Sequence, residues 1–98
     1  MPDRVPMAGS GFEKRFPARD SVAAKALAAN VRRLRKAKSW TQDVLAAEID
    51  VEQGVISRIE NGRANPTLLV LEALAKKLEV RVDQLFEIQS KSKRGKDR

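Results

Sequence analysis

Apolar residues recur along this chain at helical spacing. Leu27, Val31 and Leu34 stand at i, i+4 and i+7, behind Asp20 or Ser21 as a candidate N-cap, and predict a first helix from about Ser21 to Lys38. A second start follows at Thr41, with Asp43 in the first turn and Trp40 placed to pack on Leu45 as a hydrophobic staple. Leu45, Ala46 and Ile49 form its stripe, and Asp50-Val51 interrupt it. Ile56 and Ile59 mark a third helix near Gln53–Asn61, with Glu52 as a weak cap, and Asn61-Gly62 can close it in the left-handed conformation. Thr67 caps a fourth helix with Leu71, Leu74, Ala75 and Leu78 on one face. A short fifth over Val82–Glu87 buries Leu85 and Phe86. No stretch alternates as a strand does, so the pattern predicts an all-α fold, a compact five-helix domain with short connections.

The periodic region spans residues 21–88. Residues 1–20 contain Pro2, Pro6, Pro17, Gly9 and Gly11 without a period and are expected to be a flexible N-terminal arm. Phe12 and Phe16 are the two positions there able to dock on the domain, and Arg4, Lys14, Arg15 and Arg19 give the arm a possible reach to DNA. Residues 89–98 form a basic tail with nothing to bury and are expected to be disordered.

Charge narrows the class of partner. The chain of 98 residues has a net charge of +7, of which the tail holds +4, the arm +1 and residues 21–88 only +2. A basic balance suits a polyanion such as nucleic acid. Aromatic residues make up 4% and Tyr is absent, which argues against single-strand binding by base stacking. There is no Cys and no His, so thiolate metal sites, Ser-His or Cys-His pairs and most zinc sites are excluded, and no cofactor, metal or enzymatic role is expected. No apolar run approaches the ~20 residues of a membrane span, and no secretory signal pattern is visible. The expected location is the cytoplasm.

The informative spacing lies between the second and third predicted helices. A connection of about four residues is right for a helix-turn-helix. Ala46 sits where the two helices cross, and a small residue lets them approach. With Ile56 and Ile59 turned inward, Gln53, Gly54, Ser57, Arg58 and Asn61 face outward, a small and polar set suited to entering a groove.

TQDVLAAEIDVEQGVISRIENGRANPT, followed by LEALAKKLEVRVDQLF, resembles the Cro/phage-repressor (Xre-type) helix-turn-helix family over about residues 27–87. The shared features are Thr41, Gln42, Leu45 and Ala46 at the opening, and Ile56, Ser57, Ile59, Glu60, Asn61 and Gly62 at the closure. The resemblance implies five helices with the third, about 53–61, as the recognition helix in the major groove. It implies base reading by Gln53, Ser57 and Arg58. It implies phosphate contacts from Thr41 and Gln42 at one helix start, and from Asn61, Arg63 and Asn65 in the loop beyond. Arg35 and Glu60 match a family ion pair. Double-stranded DNA is the implied partner and a homodimer the implied assembly, with Leu85, Phe86 and Ile88 as candidate contacts and core packing the competing role for the first two. No small-molecule effector is evident.

Several positions depart from the family pattern. Asp50 replaces the glycine of the tight turn, and Asp can visit the left-handed region. Ser39 and Glu79 replace two further glycines. Gly54 stands where relatives carry a side chain, and Glu52 is acidic where a Ser or Thr cap is usual. Two functions from different classes follow. One is a sequence-specific duplex-DNA-binding transcriptional regulator; the other is a protein-interaction module on the same fold, such as an antitoxin that binds a toxin and secondarily DNA.

Overall fold

A computed structural model of the protein describes residues 10–89; the expectations for residues 1–9 and 90–98 lie outside the described residues. Five α-helices run in the order α1 (Ser10–Arg15), α2 (Val22–Ala37), α3 (Gln42–Glu48), α4 (Gln53–Glu60) and α5 (Leu68–Leu78). Two 3₁₀ segments, Ala18–Asp20 and Val82–Phe86, complete the described residues, and there is no strand among them. The four central helices match the apolar stripes. Their N-termini are fixed locally: Ser21, Thr41 and Thr67 each accept a hydrogen bond from the backbone N–H of Ala24, Val44 and Val70, an arrangement worth about 1 kcal/mol per helix. Glu52 makes no side-chain cap for α4.

Two expectations change. The last predicted helix is a 3₁₀ segment, Val82–Phe86; five residues give too few i→i+4 bonds to favour the α form, and Gln84 Oε1 closes the start by accepting from the N–H of Arg81. Residues 10–20, expected to be part of a flexible arm, form α1 and a 3₁₀ turn. Phe12 and Phe16 are not core anchors: their rings lie 5.1 Å apart on successive turns of chain, Arg15 stands 5.7 Å over Phe16, and both rings stay more than half exposed.

Helices α2, α3, α4 and α5 enclose one core of Leu27, Val31, Leu45, Ala46, Ile56, Ile59, Leu74, Ala75, Leu78 and Leu85. α2 is the central element, packing on α4, α5 and the final 3₁₀ segment. Asn30 interrupts its stripe and is fully buried. Its Nδ2 donates to the carbonyl oxygens of Leu85 and Glu87 at 2.9 and 2.8 Å, satisfying backbone groups that a 3₁₀ end leaves open. Arg33 and Gln89 donate to its Oδ1.

The helix ends share one geometry. After α2, α3, α4 and α5 a residue enters the left-handed region: Ser39 (φ 60°), Asp50 (φ 59°), Gly62 (φ 70°) and Glu79 (φ 64°). In each case the next N–H, that of Trp40, Val51, Arg63 or Val80, donates back to the carbonyl of Arg35, Ala46, Arg58 or Ala75. This is the six-to-one bond of a Schellman cap. Only one of the four left-handed residues is glycine. Trp40, Val51 and Val80, which follow the three others, pack on the core, so burial of the next side chain holds the unfavourable backbone in place.

Candidate nucleic-acid interface

The turn between α3 and α4 is made by residues 49–52. Asp50 reverses the chain and Val51 anchors it, which sets α4 across α3 with Ile56, Ile59 and Glu60 inward. The opposite side of α4 is therefore open. Gln53 and Arg58 are exposed and Ser57 is half-buried. Asn61 at the end of α4, and Arg63 and Asn65 beyond Gly62 on the loop to α5, are exposed. Among the described residues, the side chains of Ser57, Arg58, Asn61, Arg63 and Asn65 make no hydrogen bond or ion pair to another residue. Thr41 is exposed and occupied as the cap of α3.

Glu60 organises the buried side. Its carboxylate accepts from Arg35 Nε at 2.7 Å and from Arg35 Nη2 at 2.9 Å, and Arg35 Nη1 donates to the Trp40 carbonyl. Arg32 stands at 3.9 Å from the same carboxylate and donates to the Glu60 carbonyl oxygen. Burial pushes the Glu60 carboxyl up, but the hydrogen bonds from Arg35 and Gln42, with the charges of Arg35 and Arg32, outweigh it and hold the group below its ordinary value. The bond to Glu60 and its charge raise the Arg35 guanidinium against the opposing effect of burial.

Gln42 links this buried pair to the open face. Its Nε2 donates to Glu60 Oε1 at 3.0 Å, and its Oε1 accepts from Gln53 Nε2 at 2.6 Å. Arg35, Glu60, Gln42 and Gln53 thus form a continuous polar chain from α2 to the first turn of α4. Sequence reasoning named all four residues and missed the link from Gln42 to Gln53 and Glu60. That link fixes the Gln42 amide orientation and leaves one Nε2–H, with the first backbone N–H groups of α3, for an acceptor outside the protein. Gln53 keeps its Oε1 and one Nε2–H, a donor and acceptor side by side at the tip of the helix.

The HTH_3 helix-turn-helix family matches residues 31–85, more than half of the chain. An HTH-type transcriptional regulator of Sinorhizobium fredii, y4dJ, is 39% identical over 56 residues, which are 57% of this chain and 73% of that protein. A hypothetical transcription factor from Neisseria, NHTF, superposes with a TM-score of 0.64 at 28% identity, over 89% of this chain and 86% of its own. The restriction-modification controller protein C.AhdI of Aeromonas hydrophila gives 0.63 at 26% identity, over 67% of this chain and all of its own. The pattern of apolar stripes, the four-residue turn and the open face of α4 agree with these matches, and the chain belongs to the HTH_3 helix-turn-helix family, the Xre/Cro-like group of transcriptional regulators.

Proposed function

We propose that this regulator binds duplex DNA sequence-specifically, laying α4 in the major groove, and that it does so as a homodimer. The observation that carries the reading is the open side of α4: Gln53 and Arg58 face solvent free of any carboxylate partner among the described residues, and the exposed Asn61, Arg63 and Asn65 continue from it. The free donor and acceptor of Gln53 match the N7 and N6 groups of adenine, and an arginine at position 58 matches the O6 and N7 of guanine. Ser57 is the third base-facing side chain. Thr41, Gln42, Asn61, Arg63 and Asn65 serve the phosphates on either side.

A homodimer follows from the size of the reading element. One helix of eight residues spans too few base pairs for useful selectivity, whereas two copies on half-sites about 34–36 Å apart read twice as many. Of the three dimer-contact candidates, Leu85 is withdrawn because it is fully buried, Phe86 is half-buried against the core, and Ile88 is 71% exposed. Such a protein acts where the DNA is, and the location that goes with this reading is the cytoplasm. Among the described residues no helix is long and apolar enough to cross a membrane.

The test is selection of bound sites from random duplex DNA, followed by titration of the selected site and a scrambled duplex. Gln53→Ala is expected to relax the preference at one base pair by ~1–3 kcal/mol, while Asn61→Ala and Arg63→Ala weaken both duplexes together. With ~6–10 phosphates neutralised per dimer, affinity is expected to fall ~10³–10⁵-fold between 50 and 200 mM salt. Equal losses on both duplexes for every variant would mean that α4 does not read sequence. No loss for any of them would assign the open face to a protein partner, as in the antitoxin alternative.

A further inference from the structure

Gly54 is the second residue of the outward-facing helix, and neither its backbone nor the core explains it. Its φ lies outside the left-handed region, and a Cβ built on it would meet one atom only, Arg58 Nη1 at 3.6 Å. In the first turn of α4 it serves neither a cap nor a left-handed turn, so the position has no backbone or packing reason to be glycine. What the missing side chain leaves room for is the guanidinium of Arg58. Side chains on a helix lean toward its N-terminus, and residues four apart lie one above the other. Arg58 accordingly folds back one full turn and sets its guanidinium over residue 54, in the first turn of α4. Among the described residues it donates to no carboxylate or carbonyl there, although it is exposed and its five N–H donors are available.

We propose that Arg58 reads, across the bare Gly54 position, the base pair that a side chain at 54 would otherwise contact, and that this base is guanine. Gly54 is then a specificity-determining residue that acts by being absent from the groove. The inference rests on the major-groove reading of α4 and adds to it which residue reads which step. The half-site carries a guanine recognised bidentately by Arg58 next to the base recognised by Gln53. A Cβ alone fits beside the guanidinium at 3.6 Å, but a side chain that extends beyond Cβ at 54 competes with it directly.

The experiment compares selected sites for the wild-type chain, Arg58→Ala, Gly54→Ala, Gly54→Gln, Gln53→Ala and the double variant that combines Gly54→Gln with Arg58→Ala, with thermal melts to confirm that each is folded. Dissociation constants are then measured on the selected duplex and on duplexes changed at single base pairs. Arg58→Ala is expected to lose about tenfold or more in preference for guanine at one step and to leave the Gln53-dependent step intact. Gly54→Ala is expected to keep the guanine and to melt higher, since 3.6 Å is an ordinary contact. Gly54→Gln is expected to lower the guanine preference in the presence of Arg58, and to cause no further loss of guanine preference in the Arg58→Ala background, where there is no guanidinium to displace. The inference is overturned if Arg58→Ala weakens all duplexes alike, if its step is not guanine, or if Gly54→Gln leaves the guanine preference whole. If instead the wild-type chain selects no sequence, the major-groove reading fails and this inference falls with it; if only the Gln53 step survives as selective, the major-groove reading stands and this inference alone fails.

Discussion

Two ion pairs leave the C-terminal end of α2 for other parts of the fold, and their distances are nearly equal. Arg35 meets Glu60 at 2.7 Å, with side-chain exposures of 10% and 1%, whereas Lys38 meets Glu79 at 2.9 Å, with exposures of 26% and 76%. The first is surrounded. Glu60 accepts both guanidinium donors and the Gln42 amide, and Arg35 also holds the Trp40 carbonyl. The second is a single bond in water, with Lys38 also 5.3 Å from the Trp40 ring. Contact distance therefore says little about energetic weight. What differs is how much each partner would lose if left alone: a buried charge without its partner keeps its full desolvation penalty, while an exposed one returns to water.

The strongest way to break the comparison is to remove Glu60. Glu60→Ala leaves the Arg35 guanidinium buried and unpaired and is expected to cost about 3–5 kcal/mol, read as a fall in the denaturation midpoint. Arg35→Ala should do nearly as much. Replacing both partners with apolar residues is expected to cost less than the sum of the single changes, since neither charge is then stranded. A Glu60→Ala protein that melts with the wild type would mean that the pair is open to solvent.

Acid sharpens the same contrast. The Glu60 carboxyl lies below its ordinary value of 4.5, so its contribution is fully present above that pH and is lost as pH falls through the lowered folded-state value. The unfolded chain binds the proton first, and stability declines on the acid side of pH 4.5. Glu60→Gln, although destabilised at neutral pH, is expected to show a shallower decline over that acid range in denaturant titrations. A slope identical to wild type would remove Glu60 as its source.

How far the sequence made these regions legible depends on the range of the interaction. Apolar stripes and Ser or Thr caps are local, and they locate α2 to α5 and nearly all of the core. The left-handed turn at Asp50 was readable because Asp tolerates it. At Ser39 and Glu79 the same backbone is signalled only by the glycines that these residues replace in the family pattern, because neither residue favours it by itself. Its support comes from the following Trp40 and Val80, whose burial is a tertiary fact. Asn30 carried a weak signal, a polar residue inside the stripe of Leu27 and Val31, but its acceptors lie 55 and 57 residues away. On the candidate site, residue types and outward placement could be read, while the relay through Gln42 depends on how α3 crosses α4.

A smaller effect tests that account of the helix ends. Ser39→Gly and Asp50→Gly relieve a left-handed backbone at no contact cost, and each is expected to stabilise the protein by about 1 kcal/mol, or roughly 4–8 °C in melting temperature. Trp40→Ala and Val51→Ala should do the reverse, because they remove the burial that holds the turn. If the glycine variants melt unchanged, the left-handed residues are not strained and the packing of the next side chain is only a consequence of the turn.

The smallest effect returns to the exposed pair, and its sign is what matters. Lys38→Ala removes the bond to Glu79 and is expected to shift stability by no more than the ~0–1 kcal/mol typical of surface pairs. Glu79→Gly removes the same bond and simultaneously frees a residue held at φ 64°. The two consequences oppose each other: loss of a solvated ion pair lowers stability slightly, and relief of the left-handed backbone raises it. If exposure rather than distance sets the weight of the pair, the backbone wins and Glu79→Gly melts above the wild type, while Glu79→Ala, which loses the bond and stays left-handed, melts at or below it. A Glu79→Gly protein that melts lower than wild type would give the exposed pair a weight comparable to the strain it spans, and the contrast with Arg35 and Glu60 would then rest on something other than access to water.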